Sequence, residues 1–233
     1  MELGLKGKSA LISGGTHGIG LAIADLLKEE GCKTFVFGRS KEKLDASGHE
    51  GTLYDALEGE RGKAFSALPK CDILINNVGG GGRWGASVLA TPIEVWDQIY
   101  AKNARIAVLL TRAVLPRMVK NKWGRVVTIS SIHGKEAGGR PWFSVAKSAE
   151  ISLMKSLSQD ESLVRKNITF NTVCPGHIHV EGKADEEDLE ALPLGRMGTA
   201  PEVASVAVFL CSQQASLVNG ACITVDGGES RSF

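Results

Sequence analysis

Short apolar runs rich in β-branched and aromatic residues recur along the chain, and beyond each a glycine or polar turn hands over to apolar positions spaced three and four apart. The first run, Ser9–Ser13, passes through Gly14, Gly15, Gly18 and Gly20 into residues 21–30. There Leu21, Ala24, Leu26 and Leu27 hold helical spacing and Gly31 stops it. The same pattern predicts strands at residues 34–37, 73–75, 126–129, 168–173 and Cys222–Val225, with helices at 93–118, 145–163 and 201–210. Residues 40–70 are less regular: Gly48, Gly51, Gly59 and Gly62 break any helical period, and a short strand is expected at 53–55. Continuous apolar strands alternating with helices predict an α/β fold whose parallel sheet, of about seven strands, is covered on both faces. No internal repeat or low-complexity linker divides the 233 residues, so a single domain is expected.

Composition narrows the possible functions. The chain is 43% hydrophobic and 23% charged, an ordinary globular balance. Its 27 Lys and Arg against 26 Asp and Glu leave a net charge of +1, scattered without a basic block, which argues against nucleic acid as the main partner. No apolar stretch approaches the ~18 residues of a membrane-spanning helix. Residues 1–8 run straight into the first strand without an apolar signal core, so a cytoplasmic location is expected. The five cysteines, Cys32, Cys71, Cys174, Cys211 and Cys222, are odd in number and lack CxxC spacing, so they are expected as buried reduced thiols, and no metal site is expected.

Ser13-Gly14-Gly15-Thr16-His17-Gly18-Ile19-Gly20 lies between a predicted strand and a predicted helix. In that setting backbone N–H groups and the helix dipole can receive a pyrophosphate, and glycine lets the ligand approach closely. The spacing is Gly-x3-Gly-x-Gly, which alone also fits a plain glycine-rich connection.

Further motifs follow in order: Asn76-Asn77-Val78-Gly79 after the fourth strand, Asn103 in a helix, Lys147, Pro175-Gly176 after the sixth strand, and Asp226-Gly227-Gly228 near the end. With the glycine turn, they make the chain resemble the short-chain dehydrogenase/reductase family along essentially its whole length. The resemblance implies a Rossmann-like doubly wound sheet and a nicotinamide dinucleotide cofactor. It places Gly14, Thr16, His17, Gly18, Ile19, Gly20, Asn77, Gly79, Lys147, Pro175, Gly176 and Ile178 against that cofactor, with Asp55 on the adenine amine. The second strand ends Phe37-Gly38-Arg39-Ser40, with no acid to hold a free ribose 2′-hydroxyl and an arginine that can pair with a 2′-phosphate. NADP is therefore expected, with NAD possible, and His17 is a candidate second donor.

In this family a hydride moves between nicotinamide and a carbonyl carbon while a tyrosine exchanges the proton on oxygen. A serine holds that oxygen, a lysine one helical turn on lowers the tyrosine pKa, and a helix asparagine continues the proton relay. Asn103, Ser131 and Lys147 match these positions, but Phe143 stands where the tyrosine is expected. Phe143 and Lys147 share a helix face at i and i+4, yet a phenyl ring carries no acidic proton. Three explanations fit: a deliberate tyrosine-to-phenylalanine replacement, another donor such as His133 or His177, or a cofactor-binding protein without catalysis. Ser130 has the commoner spacing to position 143; Ser131 is preferred, with Ser130 as a strand-end hydrogen bonder.

The loops expected around the substrate are polar, which suits a small hydroxylated or anionic molecule such as a sugar or cyclitol derivative. They offer Arg83, Trp84, Ser131, His133, Arg140, Trp142 and His177 as contacts. Residues 180–193 form a short, acidic segment where the family carries a substrate lid, so an open pocket is expected. Helices 93–118 and 145–163 are apolar on more than one face, which together with the resemblance implies a homodimer or homotetramer. The expected function is interconversion of a secondary alcohol and a ketone with NADP(H); the alternative is a silent dinucleotide-binding protein.

Overall fold

The computed structural model describes residues 2–55, 69–81, 87–180 and 189–232. Among them seven strands form one sheet: β1 (Ser9–Ser13), β2 (Lys33–Gly38), β3 (Glu50–Leu53), β4 (Ile73–Asn76), β5 (Gly124–Ile129), β6 (Ile168–Pro175) and β7 (Cys222–Val225). Their order is β3-β2-β1-β4-β5-β6-β7 and every pairing is parallel. This is the Rossmann-like doubly wound sheet expected. The order reverses beside β1, where the chain goes first to β2 and later returns to β4; a crevice outside the strand ends at such a switch point is where these sheets bind ligands.

Residues next to each other in a strand face opposite sides of the sheet, which explains why the strands read as unbroken apolar runs. Ile12, Ile75, Val127 and Val173 pack with Ile23 and Leu27 of α1 (Gly18–Glu29) and Val203 and Val208 of α7 (Ala200–Cys211). On the other face Leu11, Leu74, Val126 and Phe170 meet Leu110, Val114 and Met118 of α4 (Ile106–Asn121) and Met154 of α5 (Pro141–Leu157).

Four elements depart from the sequence expectation, each for a local reason. The helix expected over residues 93–118 is three pieces, α3 (Ile93–Tyr100), a π turn (Ala101–Arg105) and α4, continuous in hydrophobic pattern but widened where the buried Asn103 amide donates to the Ile99 carbonyl at 2.7 Å. The helix expected over 145–163 starts four residues earlier, with Pro141 in its first turn, and ends at Leu157; α6 (Glu161–Val164) is separate, its Asp160 carboxylate accepting from Ser162 N. The strand expected at 53–55 is instead Glu50–Leu53, an edge strand too exposed to carry an apolar signature, and the Tyr54 ring that follows packs 5.4 Å from Phe37. A six-residue helix, α2 (Lys41–Ala46), forms where glycines farther along obscured it, with Ser40 accepting from Lys43 N.

Four of the cysteines are buried, Cys222 is half-buried, and all five are reduced, the Cys174 and Cys222 sulfurs being 3.3 Å apart. Among the described residues no helix is long and apolar enough to cross a membrane.

Candidate active site

The turn from β1 to α1 takes its shape from its glycines. Gly14 and Gly18 have φ of +66° and +56°, conformations that side chains disfavour. Gly20 has another reason: a Cβ there would stand 2.3 Å from the Gly14 carbonyl oxygen and 2.4 Å from Asn77 Nδ2. That asparagine donates to the Ser13 and Gly14 carbonyls, both at 3.1 Å, while Ser13 Oγ accepts from the Asn77 and Val78 amides. The loops after β1 and β4 are thus locked to each other at the switch point. His17, the residue preceding α1, makes no side-chain capping bond to the helix, so the first-turn amides of this 12-residue helix have no side-chain cap.

Above this turn lies a cavity of about 430 Å³. Of the residues expected at a cofactor, Gly14, Thr16, His17, Gly18, Ile19, Arg39, Asp55, Asn77 and Gly79 line it, and Gly20 packs behind. At the end of β2 a Cβ on Gly38 would sit 2.4 Å from Thr16, so strand end and turn are in contact. Two further cations, Lys43 and Lys102, join Arg39 around the cavity. Burial first, then Arg39 and Lys147, push the Lys102 ammonium below its ordinary value. A site that crowds positive charge in this way is complementary to an anion.

At the other end stand the residues of the expected proton relay. Asn103 is fully buried in the π turn, a helix irregularity common at functional sites. Its Oδ1 accepts from Gly80 N at 3.1 Å and its amide donates to Ile99 O and Gly80 O. Lys147 is 3% exposed and donates to Ile129 O at 3.0 Å and to Glu150 Oε2 at 2.9 Å. The Phe143 ring lies half-buried with its centroid 5.7 Å from Lys147 Nζ, in a cluster with Trp96 and Trp142. The buried Ser130 hydroxyl donates to the Lys147 carbonyl at 2.9 Å. Ser131 Oγ accepts from His133 N at 3.2 Å, so its own proton is not used in that bond. The His133 ring stands 6.5 Å from that of Phe143, and its buried Nδ1 has no hydrogen-bond partner.

Among the described residues, the other expected contacts do not line this cavity. Trp142, expected against substrate, is 2% exposed, packs edge-on to Trp96 and points its Nε1 at the Gly81 carbonyl, 3.4 Å away; it braces the Gly79–Gly81 backbone from behind. His177 is held by Glu229, with Nδ1 2.6 Å from its carboxylate. Arg140 is exposed at the start of α5. Pro175 ends β6, Gly176 abuts Glu229 and Asp226, and Ile178 packs on the α1 side of the core while bridging to Gly198. Arg83, Trp84 and residues 181–188 of the expected lid lie outside the described residues.

The chain is similar to known proteins along nearly its whole length. A family model described as enoyl-(acyl carrier protein) reductase matches residues 14–230. The 3-oxoacyl-(acyl-carrier-protein) reductase FabG of Aquifex aeolicus is 34% identical over 250 residues, covering 98% of this chain and 99% of that one. The chain belongs to the short-chain dehydrogenase/reductase family. An uncharacterized oxidoreductase of this likeness, YvaG of Bacillus subtilis, is 33% identical over 270 residues, covering 100% of this chain and 99% of its own. A solved structure of a candidate gluconate dehydrogenase from Agrobacterium tumefaciens superposes with a TM-score of 0.89 at 25% identity, each chain covered completely. As a member of this family of oxidoreductases, the chain keeps the glycine turn in a form that a stability measurement can probe. Gly-to-Ala in a helix ordinarily gains about 1 kcal/mol. At Gly20 the added carbon meets a backbone carbonyl that cannot swing away. Gly20→Ala is therefore expected to lose about 1–3 kcal/mol by overpacking, read as a lower urea midpoint; an unchanged or higher midpoint would contradict the packing described.

Proposed function

We propose that the chain is an NADP(H)-dependent oxidoreductase that interconverts a secondary alcohol and a ketone on a small polar substrate, with a proton-transfer step impaired by Phe143. The observation that carries this reading is the cationic end of the cavity. Arg39, Lys43 and Lys102 surround the end of β2, where an NAD-selective site would present a carboxylate. Arg39 pairs with a 2′-phosphate, Lys43 and Lys102 add charge, and Asp55 accepts from the adenine amine. The glycine turn and the first amides of α1 take the pyrophosphate. Bound in this way, the dinucleotide supplies or accepts the hydride. Lys147 holds the nicotinamide ribose, Ser131 donates to the substrate oxygen, and Asn103 orders the water that continues the relay.

Mixing the chain with NADPH and a panel of ketones, 3-oxoacyl thioesters and keto-sugar acids among them, is expected to give slow loss of nicotinamide absorbance. NADH is expected to give slower loss. A second reading, a silent dinucleotide-binding protein, is favoured by the phenyl ring itself; it predicts that NADPH binds without oxidation by any ketone. We also propose a homo-oligomer in the cytoplasm; the exposed apolar residues Ile93, Tyr100 and Val145 on α3 and α5 support the oligomer.

A further inference from the structure

Glu150 follows Lys147 by three residues on α5, and nothing in the family motif assigns it a part. It is 1% exposed, and its Oε2 accepts from Lys147 Nζ at 2.9 Å. The same ammonium donates to Ile129 O at 3.0 Å, so two of its three N–H bonds are committed. This pair stands directly behind the cofactor cavity. A Cβ on Gly79, which lines the cavity, would lie 3.0 Å from Lys147 Nζ and 2.4 Å from Asn103 Oδ1. A carboxylate in this position is expensive to bury, and an apolar side chain would pack a helix face as well or better. Its presence calls for a role that charge alone can fill.

Among the described residues Lys147 is the one charged group set against this carboxyl, and the Ser130 hydroxyl at the end of β5 is its other polar neighbour. Lys102, from the π turn, faces the ammonium. The elements α3 and β6 and the turn Ile132–Gly134 also pack on α5 but bring no charge to the carboxyl.

We propose that Glu150 is a positioning residue for Lys147. Its buried carboxylate fixes the ammonium behind Gly79, and by taking up or releasing a proton it sets whether the pair presents a net charge of zero or +1 to the nicotinamide end of the cavity. The role rests on the cofactor site proposed above. Burial pushes the Glu150 carboxyl up to about 7, against the lowering effect of Lys147 and Ser130. The carboxyl is therefore ionised above neutral pH and protonated below it. Protonation adds one positive charge near a polyanionic ligand, so nucleotide affinity rises as the pH falls.

The test is a titration of the full chain with NADPH and with NADH from pH 5.5 to 8.5. In the unmodified chain affinity is expected to change about 3- to 10-fold across a step near neutrality. The step appears with both nucleotides, which separates it from titration of the 2′-phosphate. In Glu150→Gln, which keeps an acceptor for Lys147 but cannot ionise, the step disappears. In Glu150→Leu, which removes both the anchor and the ionisable group, the step is also absent, and affinity falls below that of Glu150→Gln, which carries the same net charge. A purely structural Glu150 would lower the melting temperature of both variants and leave the step in place, and a step that survives in Glu150→Gln overturns the proposal. Carbon-13 NMR of the Glu150 carboxyl and the Lys147 side chain gives a readout without nucleotide. Both signals should shift together with a midpoint near neutral pH. If they shift together but no nucleotide binds, the cofactor reading fails; if the Lys147 signal does not follow the carboxyl, the positioning role fails.

Discussion

Phe143→Tyr is expected to raise turnover with NADPH and a suitable ketone by about 10²- to 10⁴-fold, the range a well-placed general acid contributes. The variant adds one oxygen to a ring already seated on the face of α5 that carries Lys147, with its centroid 5.7 Å from the ammonium. The surroundings are otherwise complete: Asn103 is held in its π turn, and Ser131 has a free proton to donate. NADPH affinity should stay within about threefold, because the change lies at the catalytic end and leaves the cationic end untouched. Stopped-flow absorbance at 340 nm checks both quantities. A variant that binds NADPH normally yet turns over no faster would show that the missing hydroxyl is not what limits this site. Attention would then move to His133, whose buried Nδ1 lacks a partner beside the Phe143 ring.

The second large effect is expected at the opposite end of the cavity. Arg39→Ala should weaken NADPH binding about 10- to 100-fold, the loss of one charge-assisted contact to phosphate worth about 1.5–3 kcal/mol. NADH, which lacks the 2′-phosphate, should lose far less. Lys102→Met should add to the loss, and non-additively, because Lys102 and Arg39 repel each other. Equal losses for both nucleotides would mean that Arg39 acts on the whole ligand and does not discriminate between them.

The parts of this architecture that could be read from the sequence are those written in local periodicity. β1 and β7 have the boundaries their apolar runs predict, and the turn after β1 is rich in glycine where Gly14 and Gly18 take a positive φ that glycine adopts most readily. The i to i+4 relation of Phe143 and Lys147 is likewise a property of one helix. What escaped depends on tertiary neighbours. Glu150 carries no motif that marks it in the sequence, and the elements packed on α5 make it a buried charge. Lys102 sits beside Asn103 in sequence, but a continuous helix gave no reason to turn it toward the cavity; the π turn accompanies that placement. Trp142 reads as a loop aromatic available to substrate, whereas Trp96, more than forty residues earlier in sequence, encloses it. Lys43 was hidden because α2 is short and capped by a single serine.

The central claim is that the cavity at the switch point holds NADP(H) through its cationic rim. Isothermal titration of the unmodified chain with NADPH and NADH in the same buffer tests it most directly. The geometry predicts one NADPH per chain, bound at least tenfold more tightly than NADH. Equal affinity for the two nucleotides, or preference for NADH, would contradict it.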